Sequence, residues 1–81
     1  MTFTIRLFAT LKELARASQV SVEVEEPATV THLLIALTEK IPAIESLLKS
    51  SLIAVNQEYA ERDLIIRSGD EIALFPPVSG G

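Results

Sequence analysis

The apolar residues of this 81-residue chain change their spacing twice, and this change constrains the fold more than any other feature. Near the N-terminus and again over residues 70–75 they alternate with polar residues, which is the period of a strand with one buried face. Over residues 30–41 they recur every three or four positions, which is the period of an amphipathic helix. Strands at both ends and one long helix between them predict a helix packed against one face of a sheet.

The first 25 residues predict two paired strands joined by a loop that contains a short helix. In residues 2–9 the odd positions from Phe3 to Leu7 are apolar, and Phe8 shares the opposite face with Arg6. A second alternating segment covers residues 19–25, and we expect it to pair with the first.

The loop between these strands carries a helix-start signal. Thr10 and Glu13 have the spacing of a capping box, which predicts a short helix over residues 11–17.

The middle of the chain predicts one long helix followed by a short one. Thr29 is a candidate N-cap for a helix that runs to about Ile41. Pro42 then interrupts the pattern, since proline lacks the backbone donor that a helix interior needs. The apolar positions of the long helix are Val30, Leu33, Leu34, Leu37 and Ile41, and those of the short helix are Ile44, Leu47 and Leu48.

The C-terminal half predicts the remaining strands and turns. The predicted features are a strand over Leu52–Asn56, a turn at Asn56-Gln57, a brief strand at Tyr59-Ala60, an irregular stretch over Leu64–Ile66, a turn at Ser68-Gly69-Asp70 and a last strand over residues 70–75. The resulting order predicts an α+β fold, the β-grasp (ubiquitin-like) architecture, with a mixed sheet on one long helix and short additional helices. In that architecture the first and last strands are central, parallel neighbours.

Composition argues against several classes of function. The chain has no cysteine, which excludes disulfides, thiolate metal sites and cysteine catalysis. Its single histidine, His32, has no partner for a triad or a metal site, and we expect it to be exposed on the long helix. We therefore predict no metal and no bound cofactor.

The charge and hydropathy of the chain indicate its surroundings. A net charge of −4 argues against nucleic acid and favours a basic partner surface. The N-terminus reads as a strand and not as a signal peptide, and no apolar run approaches the ~20 residues that span a bilayer. We predict a cytoplasmic protein that binds no membrane.

Three aromatic residues are candidates for a partner interface. Alternation places Phe8 and Phe75 on the outer face of the two central strands, and Tyr59 can join them from the returning segment. An exposed apolar patch of this kind usually marks an interface. The alternative is that the rings fold over the edge of the sheet into the core.

The chain ends in a segment unlike the rest. We divide it into a globular domain over residues 1–75 and an extended tail over residues 76–81. Proline favours an extended backbone and glycine allows close approach to a ligand, so the residues predict a thin stalk that holds the terminal carboxylate clear of the domain and can enter a narrow slot in a partner. The alternative is a frayed chain end, which is often rich in glycine. The inserting residues are Pro76, Pro77, Val78, Ser79 and Gly80, and the reactive group is the Gly81 carboxylate.

A carboxylate is a poor electrophile and must be activated before it can react. Adenylation to an acyl-AMP is the simplest activation, and a sulfur donor can then displace AMP and leave a thiocarboxylate. Gly81 suits this chemistry because no side chain hinders attack at its carbonyl.

These residues resemble the small subunits of molybdopterin synthase, a family of ubiquitin-like sulfur carriers. The resemblance covers nearly the whole chain, and its most specific part runs from Gly69 to Gly81. It implies that an E1-like enzyme uses ATP to form a transient acyl-AMP at Gly81, and that a sulfur donor protein supplies the thiocarboxylate sulfur. It also implies that the large synthase subunit holds the active site and that the tail inserts there to donate sulfur to a pterin precursor. The assembly is then a heterotetramer in which this chain is the non-catalytic donor.

Other functions fit the same ending. A ubiquitin-like modifier would join Gly81 to a lysine of a target protein, and a thiamin-type sulfur carrier would serve a different pathway. A non-covalent β-grasp module would need the Phe8 and Phe75 face but not the glycines.

Overall fold

The computed structural model describes residues 1–77 of the chain. Its elements in chain order are strand β1 (Thr2–Leu7), helix α1 (Ala9–Ala15), β2 (Gln19–Glu23), β3 (Ala28–Thr29), α2 (Val30–Lys40), a 3-10 turn (Pro42–Ile44), α3 (Glu45–Leu48), β4 (Leu52–Val55), β5 (Glu58–Tyr59), β6 (Ile65–Ile66) and β7 (Ile72–Phe75).

Five strands form one mixed sheet in the order β2-β1-β7-β4-β5. The first and last strands of the chain, β1 and β7, are central and parallel, with Ile5 opposite Ile72. The other neighbours in this sheet pair antiparallel. The predicted β-grasp fold is confirmed.

Beside this sheet lies a small second sheet that the sequence did not predict. Ile65 and Ile66 were expected to be irregular, but they pair antiparallel with Thr29 and Ala28. The prediction failed because two-residue strands are too short to show a period. This pairing holds residues 65–66 against the start of α2.

The core lies between α2 and the inner face of the five-stranded sheet. The apolar positions of both elements are buried, as the two periods predicted. The main members are Phe3, Ile5, Leu7, Leu11, Val30, Leu33, Leu37, Ile44, Ile53, Ile66, Ile72 and Leu74. Ile41 packs against this core and is partly buried.

Helix α1 begins earlier than the capping box predicted. Ala9 has a positive φ of 51°, so the chain turns sharply straight after Phe8. The carbonyl of Phe8 then accepts from the backbone N–H groups of Leu11 at 3.1 Å and Lys12 at 3.4 Å. Thr10 therefore lies inside the first turn, and the helix has no side-chain cap.

Helix α2 begins at the predicted cap. The His32 backbone N–H donates to Thr29 Oγ1 at 3.4 Å, and the Thr29 backbone N–H donates to His32 Nδ1 at 3.0 Å. His32 is exposed as expected, and it also serves as the reciprocal partner of the cap. This second role follows from its place three residues after the cap, where glutamate or glutamine is usual.

Two turns meet at the end of the sheet opposite the C-terminus of β7. Asn56 and Gln57 both have positive φ, which is typical of a two-residue hairpin. Asn56 donates from Nδ2 to Asp70 Oδ1 at 3.0 Å and accepts at Oδ1 from the Glu71 N–H at 2.9 Å. The Arg67 N–H donates to Asp70 Oδ2 at 2.7 Å. This bond first, and the Asn56 bond second, lower the pKa of the Asp70 carboxyl below its ordinary value.

Over residues 1–77 the helices are all too short or too polar to cross a bilayer.

Candidate functional site

One row of outward-facing residues crosses four strands of the sheet. Arg6 on β1 is opposite Ala73 on β7, and Ala73 is in turn opposite Ala54 on β4. Ala54 is opposite Tyr59 on β5. Two small side chains thus lie between two long ones, and the centre of the row is a depression.

An aromatic stack borders this row on the side nearest the C-terminus. Phe8 follows β1 directly and Phe75 ends β7, so both come one position after the parallel pair of Leu7 and Leu74. Their rings are stacked, with centroids 4.7 Å apart and planes 10° from parallel. The guanidinium carbon of Arg6 lies 5.5 Å from the centroid of the Phe8 ring, within the range of a cation–π interaction.

The row and the stack together enclose the outer-face groove. It is lined by Arg6, Phe8, Ala54, Gln57, Tyr59, Glu71, Ile72, Ala73 and Phe75. Ala54 is only 8% exposed although it faces away from the core, so the groove has a sheltered apolar floor. Arg6 and Glu71 place one charge of each sign at its margin.

All three predicted interface residues line this groove. Tyr59 is 76% exposed, whereas Phe8 and Phe75 are half-buried against each other. The rings do not turn into the core, because they lie on the face of the sheet opposite α2. Their role in binding a partner stays a prediction.

The sequence reasoning missed Arg6, Ala54 and Ala73 as parts of the site. Alternation already placed Arg6 and Ala73 on the outer face. What it could not give was the register that aligns residues from four strands.

The predicted tail begins beside the groove. Pro76 and Pro77 follow Phe75 directly and are half-buried. The boundary at residue 75 stays a prediction. Val78, Ser79, Gly80 and Gly81 lie outside the described residues, and so do the predictions made for them.

Among residues 1–77, no cluster of histidine and carboxylate side chains could hold a metal ion. The apolar floor of the outer-face groove, its stacked rings and its two marginal charges are features typical of protein–protein interfaces. The fold and this groove define a ubiquitin-like β-grasp protein whose C-terminal segment starts at a candidate interface.

Comparisons with known proteins place the chain more closely. The model of the ThiS family matches residues 5–81, and the chain belongs to this family. It is 44% identical to a molybdopterin synthase sulfur carrier subunit from Dictyostelium discoideum over 82 residues, which cover 98% of this chain and 95% of that one.

Archaeal relatives are similar as well. The small archaeal modifier protein 1 of Haloferax volcanii is 42% identical, over 94% of this chain and 97% of its own. A crystal structure of SAMP1 from Haloferax volcanii matches with a TM-score of 0.90 at 38% identity and full coverage of both chains.

Proposed function

We propose that this chain is a sulfur carrier for the synthesis of molybdopterin and acts as the small subunit of molybdopterin synthase. The observation that carries the proposal is the 44% identity, over almost the full length, to a protein named as the sulfur carrier subunit of that synthase. The family model also matches the chain through Gly81, the residue whose carboxylate we propose as the reactive group.

The chemistry takes place at Gly81. Its carboxylate attacks the α-phosphate of ATP and pyrophosphate leaves, which gives an acyl-AMP. A sulfur nucleophile from a donor protein then attacks the carbonyl and AMP leaves. That nucleophile is the terminal sulfur of a persulfide on the donor protein, so the first product is an acyl disulfide. A thiol then attacks the donor-side sulfur of this bond, forms a disulfide with it and releases the terminus as a thiocarboxylate. Its sulfur is passed to a pterin precursor, and water restores the Gly81 carboxylate. We assign the catalysis of these steps to partner enzymes.

The outer-face groove is the proposed contact for these partners. An E1-like adenylating enzyme and the large synthase subunit would bind it in turn, since both must take hold of the chain close to where its C-terminal segment starts. Tyr59 and the Phe8–Phe75 stack provide the aromatic anchors typical of interface hot spots. The net charge of −4 favours partner surfaces that are basic around the groove. Such an assembly would work in the cytoplasm.

Intact mass spectrometry tests this function directly. The chain is isolated from cells that contain the E1-like enzyme and from cells that lack it. We expect a mass increase equal to the exchange of one oxygen for sulfur, only in the first sample and only when Gly81 is present. A Gly81 deletion that keeps its fold and still supports molybdopterin synthesis would refute the proposal.

A second function is favoured by one specific observation, the 42% identity to a protein named small archaeal modifier protein 1. In that case the activated Gly81 carbonyl would be attacked by a lysine amine of a target protein, and an isopeptide bond would form. Immunoblots of cell extract distinguish the two functions. A ladder of conjugates that disappears on deletion of Gly81 indicates a modifier, whereas a thiocarboxylate without conjugates indicates a carrier alone.

A further inference from the structure

The Phe8–Phe75 stack lies where the parallel pairing of β1 and β7 ends. The last paired residues are Leu7 and Leu74, and after them the two chains separate. Residue 8 leads into α1 through the positive φ of Ala9, and residue 75 leads into Pro76. Over residues 75–77, the part of this segment that the structure describes, no strand pairing with β1 fixes the course of the chain.

The stack supplies a constraint at that position. The ring centroids are 4.7 Å apart and the planes are nearly parallel, so Phe8 holds the side chain of Phe75 on the side towards β1. The Phe8 ring is itself held by the Arg6 guanidinium, 5.5 Å away. On its other side Phe75 pairs with Leu52 of β4.

The next two residues transmit this constraint. Proline fixes φ near −65°, and a residue that precedes proline is confined to extended conformations. Phe75 and Pro76 each precede a proline, and Pro76 and Pro77 are half-buried against the body. The direction of the chain at Pro77 therefore depends on how firmly Phe75 is held.

The strained backbone at Ala9 also bears on how Phe8 is held against Phe75. A non-glycine residue in the left-handed region costs of order 1 kcal/mol and persists only where its surroundings enforce it. Here the sharp turn starts α1 immediately after Phe8. The turn diverts the chain away from β7 but leaves the Phe8 ring on Phe75.

We infer that Phe8 is a positioning residue: by stacking on Phe75 it sets the direction in which the C-terminal segment leaves the sheet. This inference rests on the proposed function for its use, because aiming matters only if the terminus reacts. It separates two tasks within the outer-face groove. Tyr59 contributes area for binding, and the Phe8–Phe75 stack aims the reactive end.

The first test needs no partner and so is independent of the proposed function. Cα–Hα residual dipolar couplings of Pro76 and Pro77 are measured in weakly aligned, 13C-labelled full-length protein. We expect order parameters near the rigid value of about 0.85 in the native chain and below about 0.6 in Phe8→Leu. Phe8→Tyr keeps the ring and should restore the native couplings. Couplings in Phe8→Leu that still fit the native orientation of the body would overturn the inference.

The second test separates aiming from binding. Thiocarboxylated chain is titrated with the large synthase subunit, and the rate of sulfur transfer in a single turnover is measured at saturation. We expect Phe8→Leu to lower this saturating rate about tenfold or more with a much smaller change in Kd, since small errors in placement cost orders of magnitude in rate. Tyr59→Ala is the comparison variant from the same groove, and it should raise Kd by a larger factor than it lowers the saturating rate. A Phe8→Leu effect confined to Kd would overturn the inference.

The free energy of unfolding of each variant is measured in both tests, so that unfolding is not mistaken for a change in the direction of the C-terminal segment. Phe75→Leu breaks the same stack from the other strand and must reproduce the Phe8→Leu result. If the prolines lose order in both leucine variants but the native chain never carries sulfur, the positioning role stands and the proposed function falls. If sulfur transfer occurs and the leucine variants transfer at the native saturating rate, the proposed function stands and the positioning role falls.

Discussion

The two faces of the central sheet use the same strands for different purposes. On the inner face Ile5, Ile72 and Leu74 are buried against α2. On the outer face the alternate residues Arg6, Ala73 and Phe75 line the groove. Adjacent residues of one strand therefore belong in turn to the core and to the candidate interface, because the side-chain period of a strand is two.

The contrast is sharpest at Leu74, which is fully buried on the inner face. We expect Leu74→Ala to lower the free energy of unfolding by about 2–5 kcal/mol, from lost burial and the cavity that remains. Urea denaturation followed by circular dichroism measures this change. The molecules that stay folded should bind the partner with native affinity, and a loss of affinity among them would break the separation of the two faces.

The neighbouring residue Ala73 should behave in the opposite way. Ala73→Arg places a bulky charge on the groove floor, and we expect at least about a tenfold loss of affinity for the large subunit, since charge is depleted from interface centres. Its effect on the free energy of unfolding should stay at about 1 kcal/mol or less, well below that of Leu74→Ala, even though the new charge lies opposite Arg6. Titration calorimetry and urea denaturation measure the two quantities.

Ile35→Arg is the matched control for this change. Ile35 is an apolar residue of α2 that is 52% exposed, far from the groove in the topology of the fold. An arginine introduced at this position should leave the affinity for the large subunit unchanged. Equal losses of affinity at positions 35 and 73 would show that added charge, and not the groove, is responsible.

The Phe8–Phe75 stack is intermediate between Leu74, which acts on stability, and Ala73, which acts on affinity. The two rings face outward, yet we infer that they also fix the direction of the chain after Phe75. A double-mutant cycle with Phe8→Leu and Phe75→Leu should give a coupling of about 0.5–1.5 kcal/mol in the free energy of unfolding. Denaturation of the four chains measures it. A coupling near zero would mean that the rings touch without stabilising each other.

The smallest effect is expected at the turns, which are held by hydrogen bonds. The lowered pKa of Asp70 means that its ionised form stabilises the fold above the unfolded pKa of about 3.9, and that this contribution is lost as the pH falls through the lower folded pKa. Asp70→Asn should therefore cost about 0.5–1 kcal/mol at pH 7, given the weakness of electrostatic effects near a surface.

Thermal melts of both chains from pH 7 to pH 2 test this expectation. The difference between native chain and Asp70→Asn should narrow below about pH 4. If the difference in melting temperature between the two chains stays constant from pH 7 to pH 2, the effect of the substitution comes from packing and not from the charge of Asp70.

Much of the fold could be predicted because its elements are periodic. The stripe from Val30 to Leu37 and the alternation around Ile5 and Leu74 each repeat often enough to identify an element and its buried face. The predicted start of α1 was wrong, because backbone conformation and local hydrogen bonds set it and not the hydrophobic period. Thr10 has the residues of a capping box around it, yet the positive φ of Ala9 starts the helix before it.

The candidate site was predictable only in part. Alternation placed Phe8 and Phe75 on one face, and the exposed Tyr59 was assigned with them. The alanine floor of the groove was missed, since Ala54 and Ala73 have no chemistry that marks them in a sequence. Their importance comes from the long neighbours that the sheet places around them.

By itself the sequence determined the fold class and the buried positions of its helix and strands, and it contains the Gly80-Gly81 pair at which the proposed chemistry is placed. Tertiary structure decided which outward residues meet. The row from Arg6 to Tyr59 and the stack of Phe8 on Phe75 join residues up to 67 positions apart in the chain. The physical reason is that periodicity is a local property, whereas strand register is set by the packing of the whole sheet on its helix.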